Sequence, residues 1–194
     1  MNLPNKITLI RVGLIPIFLI VYLVSPLNEI LNMWLALVIF VAASITDGID
    51  GHIARKRKLV TNFGKLVDPL ADKLLICSVL VAFIYTGSLG DQFATWAVIV
   101  LIGRELYISG LRQLALEQGR VLAAMQGGKW KMGLQITLVV VVLLPVQMLP
   151  FEWLLMVKDW IVLVLLITTT AVSVLSAVDY TVKNKEIFAK INKD

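Results

Sequence analysis

Two short stretches hold most of the groups able to do chemistry. The first reads Thr46-Asp47-Gly48-Ile49-Asp50-Gly51-His52-Ile53-Ala54-Arg55, the second Gly64-Lys65-Leu66-Val67-Asp68-Pro69-Leu70-Ala71-Asp72-Lys73. Asp47 and Asp50 are three apart and Asp68 and Asp72 four apart. Either spacing puts a pair on one face of a helix. Four carboxylates packed together repel, and they stay ionised only with something cationic among them. Oxygen donors in that number suit Mg²⁺ or Mn²⁺, as one ion or two. Gly48, Gly51, Gly64 and Ala54 clear side chains from the same region, so that a bulky polar ligand can approach the backbone. Arg55 is placed to meet a phosphate. A solvated helix end accounts for any one of these acids. It does not account for four at helix-face spacing in a chain that avoids charge elsewhere.

The remaining residues must position this cluster. The chain has 194 residues, 59% of them hydrophobic and only 16% charged, with a mean hydropathy of +0.88. A soluble domain is about 45–50% apolar and about 25% charged, and a globule of this size has too little interior for the excess. An ordinary soluble enzyme and a disordered chain are both excluded on that ground. Charge-free stretches run over 12–28, 30–46, 74–90, 92–103, 132–151 and 160–178. Five of them approach the roughly 20 apolar residues of a spanning helix. The stretch 92–103 becomes a span only if Arg104 and Glu105 lie within its helix, which then runs to about Leu116. The expectation is an all-α integral membrane protein with six transmembrane helices. A short N-terminal surface segment, Asn2-Leu3-Pro4-Asn5, precedes them, and the whole forms a single domain over 1–194. No alternating ten-residue barrel pattern is present. A cleaved signal peptide is disfavoured by Arg11, Pro16 and the lack of a small-residue cleavage site.

With six spans both termini share one side of the membrane. Of the 18 Lys and Arg residues, all but Lys158 fall on that side, which is 18 − 1 = 17. The positive-inside rule then makes it the cytoplasmic face of the cell membrane. The first pair of Asp closes the second span and the second pair opens the third. A basic turn from Lys56 to Phe63 brings the two helices back antiparallel. A net charge of +5 in so apolar a chain favours membrane lipids or a phosphate-bearing substrate as partner over nucleic acid. One cysteine, Cys77, excludes an internal disulfide and reads as a small buried hydrophobe. One histidine, His52, argues against a His-based metal site or a Ser-His-Asp triad. The Trp residues 34, 96, 130, 153 and 160 fall mostly near span ends, as an interfacial belt does.

The pattern Asp-x2-Asp-Gly-x2-Ala-Arg-x8-Gly-x3-Asp-x3-Asp is filled without departure by Asp47, Asp50, Gly51, Ala54, Arg55, Gly64, Asp68 and Asp72. In it the chain resembles the CDP-alcohol phosphotransferases, over essentially its whole length. That resemblance implies six transmembrane helices, cytoplasmic termini and a homodimer. It implies transfer of a phosphoalcohol from a CDP-linked donor to an acceptor hydroxyl, with release of CMP. Asp47, Asp50 and Asp68 would hold metal on the CDP pyrophosphate, with Asp72 sharing the metal site. Asp72 would also be the general base. Asp47, Asp50, Gly51, Ala54, Arg55 and Gly64 would bind CDP. Spacing alone does not choose the base among the four carboxylates.

Other polar residues bear on the acceptor. Arg104 and Glu105 interrupt the fourth span, Arg112 lies two turns on, and Lys129 and Lys131 open the fifth. Snorkelling and charge anchoring explain Arg120, Lys56, Lys58 and the C-terminal lysines. They explain Arg104 poorly, because it sits deeper, beside an acid able to orient it. Several cations beside the carboxylates suit an acceptor that is itself a phosphate, with Arg104, Arg112, Lys129 and Lys131 as its ligands. The opening Asn2-Leu3-Pro4-Asn5-Lys6-Ile7-Thr8-Leu9-Ile10-Arg11, the pair Arg104-Glu105 and the stretch Gly128-Lys129-Trp130-Lys131 are similar to those of family members that join CDP-diacylglycerol to glycerol 3-phosphate. Met132 departs from their pattern, which has Thr there. Serine, inositol phosphate and phosphatidylglycerol are the alternative acceptors. A carboxylate-based metal ion transporter is the reading from another class.

Overall fold

A computed structural model describes residues 3–57, 62–90, 92–117 and 126–185, without the side chains of 3–7, 47–57, 62–69, 72, 117 and 126. The described residues form six α-helices and one short 3-10 turn, with no strand among them. They are α1 (Leu3–Leu23), α2 (Glu29–Arg57), α3 (Asn62–Tyr85), α4 (Gln92–Glu117), α5 (Gln126–Leu143), the turn Val146–Met148, and α6 (Trp153–Lys183). Four stretches are long and apolar enough to cross a membrane: Glu29–Thr46, Gln92–Leu116, Gly127–Met148 and Trp153–Lys183. Thr8–Leu23 and Lys73–Tyr85 are shorter apolar helices. α4 runs through Arg104 and Glu105 to Glu117, as expected if both lie within the span.

Three local details differ from the sequence expectation. Residues 3–5 are the first turn of α1 and not a separate surface segment. Pro4 is compatible with that start, since the N–H it lacks would have no partner within the helix. Lys56 and Arg57, expected in a turn, are the last residues of α2, and 58–61 lie outside the described residues. Lys158, expected in a loop, is within α6 and donates to the Leu144 carbonyl at 2.7 Å.

Two compact units emerge, Met1–Leu89 with Val139–Trp160, and Gly90–Leu138 with Ile161–Asp194. In the first, α1 packs against both α2 and α3. Each helix buries one stripe at three- and four-residue steps. On α1 it is Thr8, Arg11, Ile15 and Phe18; on α2 Ala36, Phe40 and Ala43; on α3 Ala71, Leu75, Val79 and Ala82. The alanines on α2 and α3 let backbones approach closely, as membrane helices favour. Outward positions carry apolar residues, such as Ile20 at 59% exposure and Val38 at 62%. An apolar exterior around an interior that holds Arg11, 0% exposed, is the arrangement expected in lipid.

The loop ends of this unit are capped by local chemistry. Asn28 caps α2, its Oδ1 accepting from the Ile30 N–H at 3.0 Å, and Glu29 follows in the first turn. α3 closes in a Schellman motif. The Ser88 N–H donates to the Phe83 carbonyl at 3.0 Å and the Gly87 N–H to that of Ile84 at 3.1 Å, with Gly87 at φ 71°. The Tyr22 hydroxyl ties α1 to this cap through Ser88 Oγ at 2.8 Å and Thr86 Oγ1 at 3.2 Å. A side chain at position 87 must adopt the left-handed conformation at a cost of roughly 1–2 kcal/mol. Gly87→Ala is therefore expected to lower the thermal midpoint in detergent by several degrees. Gly13→Ala, mid-helix with nothing within 4 Å of the new methyl, should leave it unchanged or raise it.

In the second unit the buried stripes are partly polar. α4 buries Ala94, Val98, Leu101, Ile108, Leu111 and Ala115; α5 buries Lys131, Gln135 and Leu138; α6 buries Val162, Leu166, Thr169, Ser173 and Tyr180. Tyr180 packs with Ile108, Leu111 and Ala177.

Candidate active site

The four acids of the signature belong to the first unit. Asp47 and Asp50 lie on α2, Asp68 and Asp72 on α3. Helical register extends each buried stripe onto them. From Ala36, Phe40 and Ala43 the same steps of three and four reach positions 47 and 50. From Ala82, Val79 and Leu75 they reach back to 72 and 68. By register alone, all four positions continue those stripes. Gly51, Ala54 and Arg55 are on the last turns of α2 and Gly64 on the first turn of α3. The side chains of these eight residues, and that of His52, lie outside the described residues.

Two of the four cations expected at the acceptor phosphate come together in the second unit. Glu105 Oε1 accepts from Arg104 Nη1 at 3.0 Å and from Lys131 Nζ of α5. Arg104 Nη2 donates to Ser176 Oγ of α6 at 3.0 Å. The side chains of Arg104, Glu105 and Lys131 are 10%, 14% and 7% exposed. Arg104 and Lys131 converge on one carboxylate in this nearly dry cluster, and buried charges are retained only when paired. Arg104 Nε is buried with no partner. An open, positively charged donor is suited to an anion.

The other two cations stand apart from this pair. Arg112 is exposed, its Nε donating to the Tyr180 hydroxyl at 3.3 Å and its guanidinium carbon 5.7 Å from the ring centroid. That is a cation–π contact with a hydrogen bond at its rim. Lys129 is exposed on the first turns of α5. Met132, the departure from the similar enzymes, is 43% exposed and off the stripe that carries Lys131. It leaves the paired cations untouched.

Reading the sequence did not single out Ser176, Tyr180 or Gln135. The signal was present on α6, where Thr169, Ser173, Ser176 and Tyr180 recur at steps of four, three and four in an otherwise apolar span. Gln135 is one turn beyond Lys131 on α5 and 1% exposed. Arg11, which the sequence singled out only as an argument against a signal peptide and as part of the opening stretch, is fully buried on the face of α1 that packs.

Comparison with known proteins bears on both units. A model of the CDP-alcohol phosphatidyltransferase family matches residues 1–171. A CDP-diacylglycerol–glycerol-3-phosphate 3-phosphatidyltransferase of Bacillus subtilis (strain 168) is 43% identical over 164 residues, covering 78% of this chain and 80% of that protein. Proteins of the same name from Rickettsia bellii and Pseudomonas fluorescens are 42% identical over 113 residues and 40% over 120. Those alignments cover 58% and 59% of the relatives' own lengths. A match of this extent, on a chain whose signature acids continue by register the buried stripes of two helices, makes this protein a member of the CDP-alcohol phosphatidyltransferase family.

Proposed function

We propose that the chain transfers the phosphatidyl group of CDP-diacylglycerol to glycerol 3-phosphate, yielding phosphatidylglycerophosphate and CMP in phospholipid biosynthesis. The family and the names of the relatives support the reaction class. The observation that carries the acceptor is the buried Arg104 guanidinium, held by Glu105 beside Lys131 with its Nε open. Serine and phosphatidylglycerol present no terminal phosphate monoester to it.

In this reading the acceptor's hydroxyl oxygen attacks the phosphorus that bears the diacylglycerol. Its proton passes to the Asp72 carboxylate as the new P–O bond forms. The P–O bond to the cytidylyl phosphate breaks, and CMP leaves with the electron pair. Asp47, Asp50, Asp68 and Asp72 would hold one or two Mg²⁺ or Mn²⁺ ions. The donor set fits, being all hard oxygen, at helix positions that continue buried stripes by register. Such metal, when bound, neutralises the diphosphate and so stabilises the departing phosphate. Arg55, with Gly51, Ala54 and Gly64 beside it, would receive the nucleotide. Arg112 and Lys129 would draw the anionic acceptor toward Arg104 and Lys131.

We read the fold as six spans, with α1 and α3 crossing alongside the four longer helices. Both termini and the site would then face the cytoplasm from the cell membrane, and the protein would work as a homodimer. The test is CMP release from CDP-diacylglycerol by the purified protein in detergent. Release with glycerol 3-phosphate, and not with serine, inositol phosphate or phosphatidylglycerol, is the expected outcome. Release with one of the others alone overturns the acceptor. Metal uptake into proteoliposomes without any turnover of CDP-lipid would support a transporter instead.

A further inference from the structure

A guanidinium carries five N–H donors in a rigid plane, and Arg104 has the two ends of that plane pinned by different helices. Nη1 is held by Glu105 of α4 and Nη2 by Ser176 of α6, each at 3.0 Å. The remaining Nε–H is buried and meets no acceptor. A donor left unmet in so dry a place is costly, and native proteins rarely keep one without a use. The Ser176 hydroxyl takes its hydrogen bond from Nη2, which borders Nε, so its own proton remains to be given. Nε–H lies on the edge it shares with Nη2, and the Ser176 O–H, bonded to that same Nη2, is a second donor left to give. That edge matches the side-on fork by which arginine grips a phosphate.

Room for Ser176 is itself provided by sequence. A methyl on Gly127 of α5 would lie 3.1 Å from Ser176 Oγ and 3.2 Å from its Cβ, closer than side chains normally approach. Gly127 is thus part of the arrangement without touching any ligand. Glu105 also draws the Lys131 ammonium to the oxygen that holds Nη1, which keeps the second cation beside the first.

We infer that Glu105 and Ser176 are positioning residues that hold the Arg104 guanidinium with its Nε edge open to the acceptor's phosphate, with Gly127 giving Ser176 its space. This rests on the reading of the acceptor as a phosphorylated alcohol bound at Arg104.

The experiment measures initial rates of the full-length protein in detergent, varying glycerol 3-phosphate at saturating CDP-diacylglycerol. Ser176→Ala is expected to raise the acceptor KM by about five- to tenfold, the loss of one charge-assisted hydrogen bond. Gly127→Ala should raise it similarly without removing any polar atom, and Glu105→Gln should raise it more. In all three kcat should stay within about threefold and the donor KM should not move, on the same hydrogen-bond scale. Inorganic phosphate should compete with glycerol 3-phosphate, and its inhibition constant should rise in step with KM. A merely structural role would instead lower kcat and the thermal midpoint together and leave phosphate inhibition unchanged, which overturns the inference. Arg104→Ala separates this inference from the reading beneath it. If that variant leaves the acceptor KM unchanged, the acceptor reading fails. If it raises KM while Ser176→Ala and Gly127→Ala do not, only the positioning role fails. Should Glu105→Gln not fold, the other two variants decide the matter.

Discussion

Asp72→Asn is expected to lower kcat by about 10²–10⁴-fold, the range a positioned general base contributes, while the affinity for CDP-lipid changes little. Position 72 continues the buried stripe of α3 through Leu75, Val79 and Ala82. It lies about three turns into α3, on the same helix as Asp68 and Gly64. Asparagine is nearly isosteric with aspartate and keeps a carbonyl oxygen, so packing and part of any metal ligation survive. What it loses is the ability to accept the acceptor's proton. Turnover and donor binding therefore separate in this variant, which binding of a CDP-lipid analogue alongside CMP release will reveal. Near-normal turnover would remove Asp72 as the base and leave it as a metal ligand.

Chelation should have an equally large effect. Removing divalent ions with EDTA is expected to abolish CMP release, with restoration by Mg²⁺ or Mn²⁺. Four carboxylates on two helices are a hard-oxygen donor set, and a cation among them offsets their mutual repulsion. Asp47→Asn and Asp50→Asn should each raise the Mg²⁺ concentration needed for half-maximal rate and weaken donor binding, because each removes one charged ligand from α2. In these variants, unlike Asp72→Asn, excess metal should recover part of the rate. Full activity in metal-free protein would overturn the metal assignment for all four residues.

The donor residues and the acceptor residues were unequally legible. Asp47, Asp50, Asp68 and Asp72 stand out because a carboxylate in a span must have a reason to be there, and because spacing of three or four is meaningful on any helix. The acceptor side offered four cations and set apart only Arg104, by its depth and its neighbour Glu105. Helical period says that Lys131 and Gln135 share a face of α5, and Arg104 and Ile108 one of α4. It does not say which faces meet. Burial separates them: Lys131 and Arg104 turn inward onto Glu105, whereas Lys129 and Arg112 are exposed. Ser176 escaped notice for a related reason. A serine in a membrane helix commonly satisfies itself on its own backbone, and only its 3.0 Å contact with Arg104 gives it another role.

From sequence alone, composition determined a helical membrane protein and eight residues marked its family. These are properties of local order along the chain: how far an apolar run extends, and which residues recur at helical steps. Tertiary structure decided what depends on one helix meeting another. It buried Arg11 completely on α1 and tied Arg104, Glu105, Lys131 and Ser176 into one cluster drawn from α4, α5 and α6. The physical reason is that the cost of an unpaired charge in a dry interior depends on its neighbours, and those neighbours are 26 and 72 residues away in the chain.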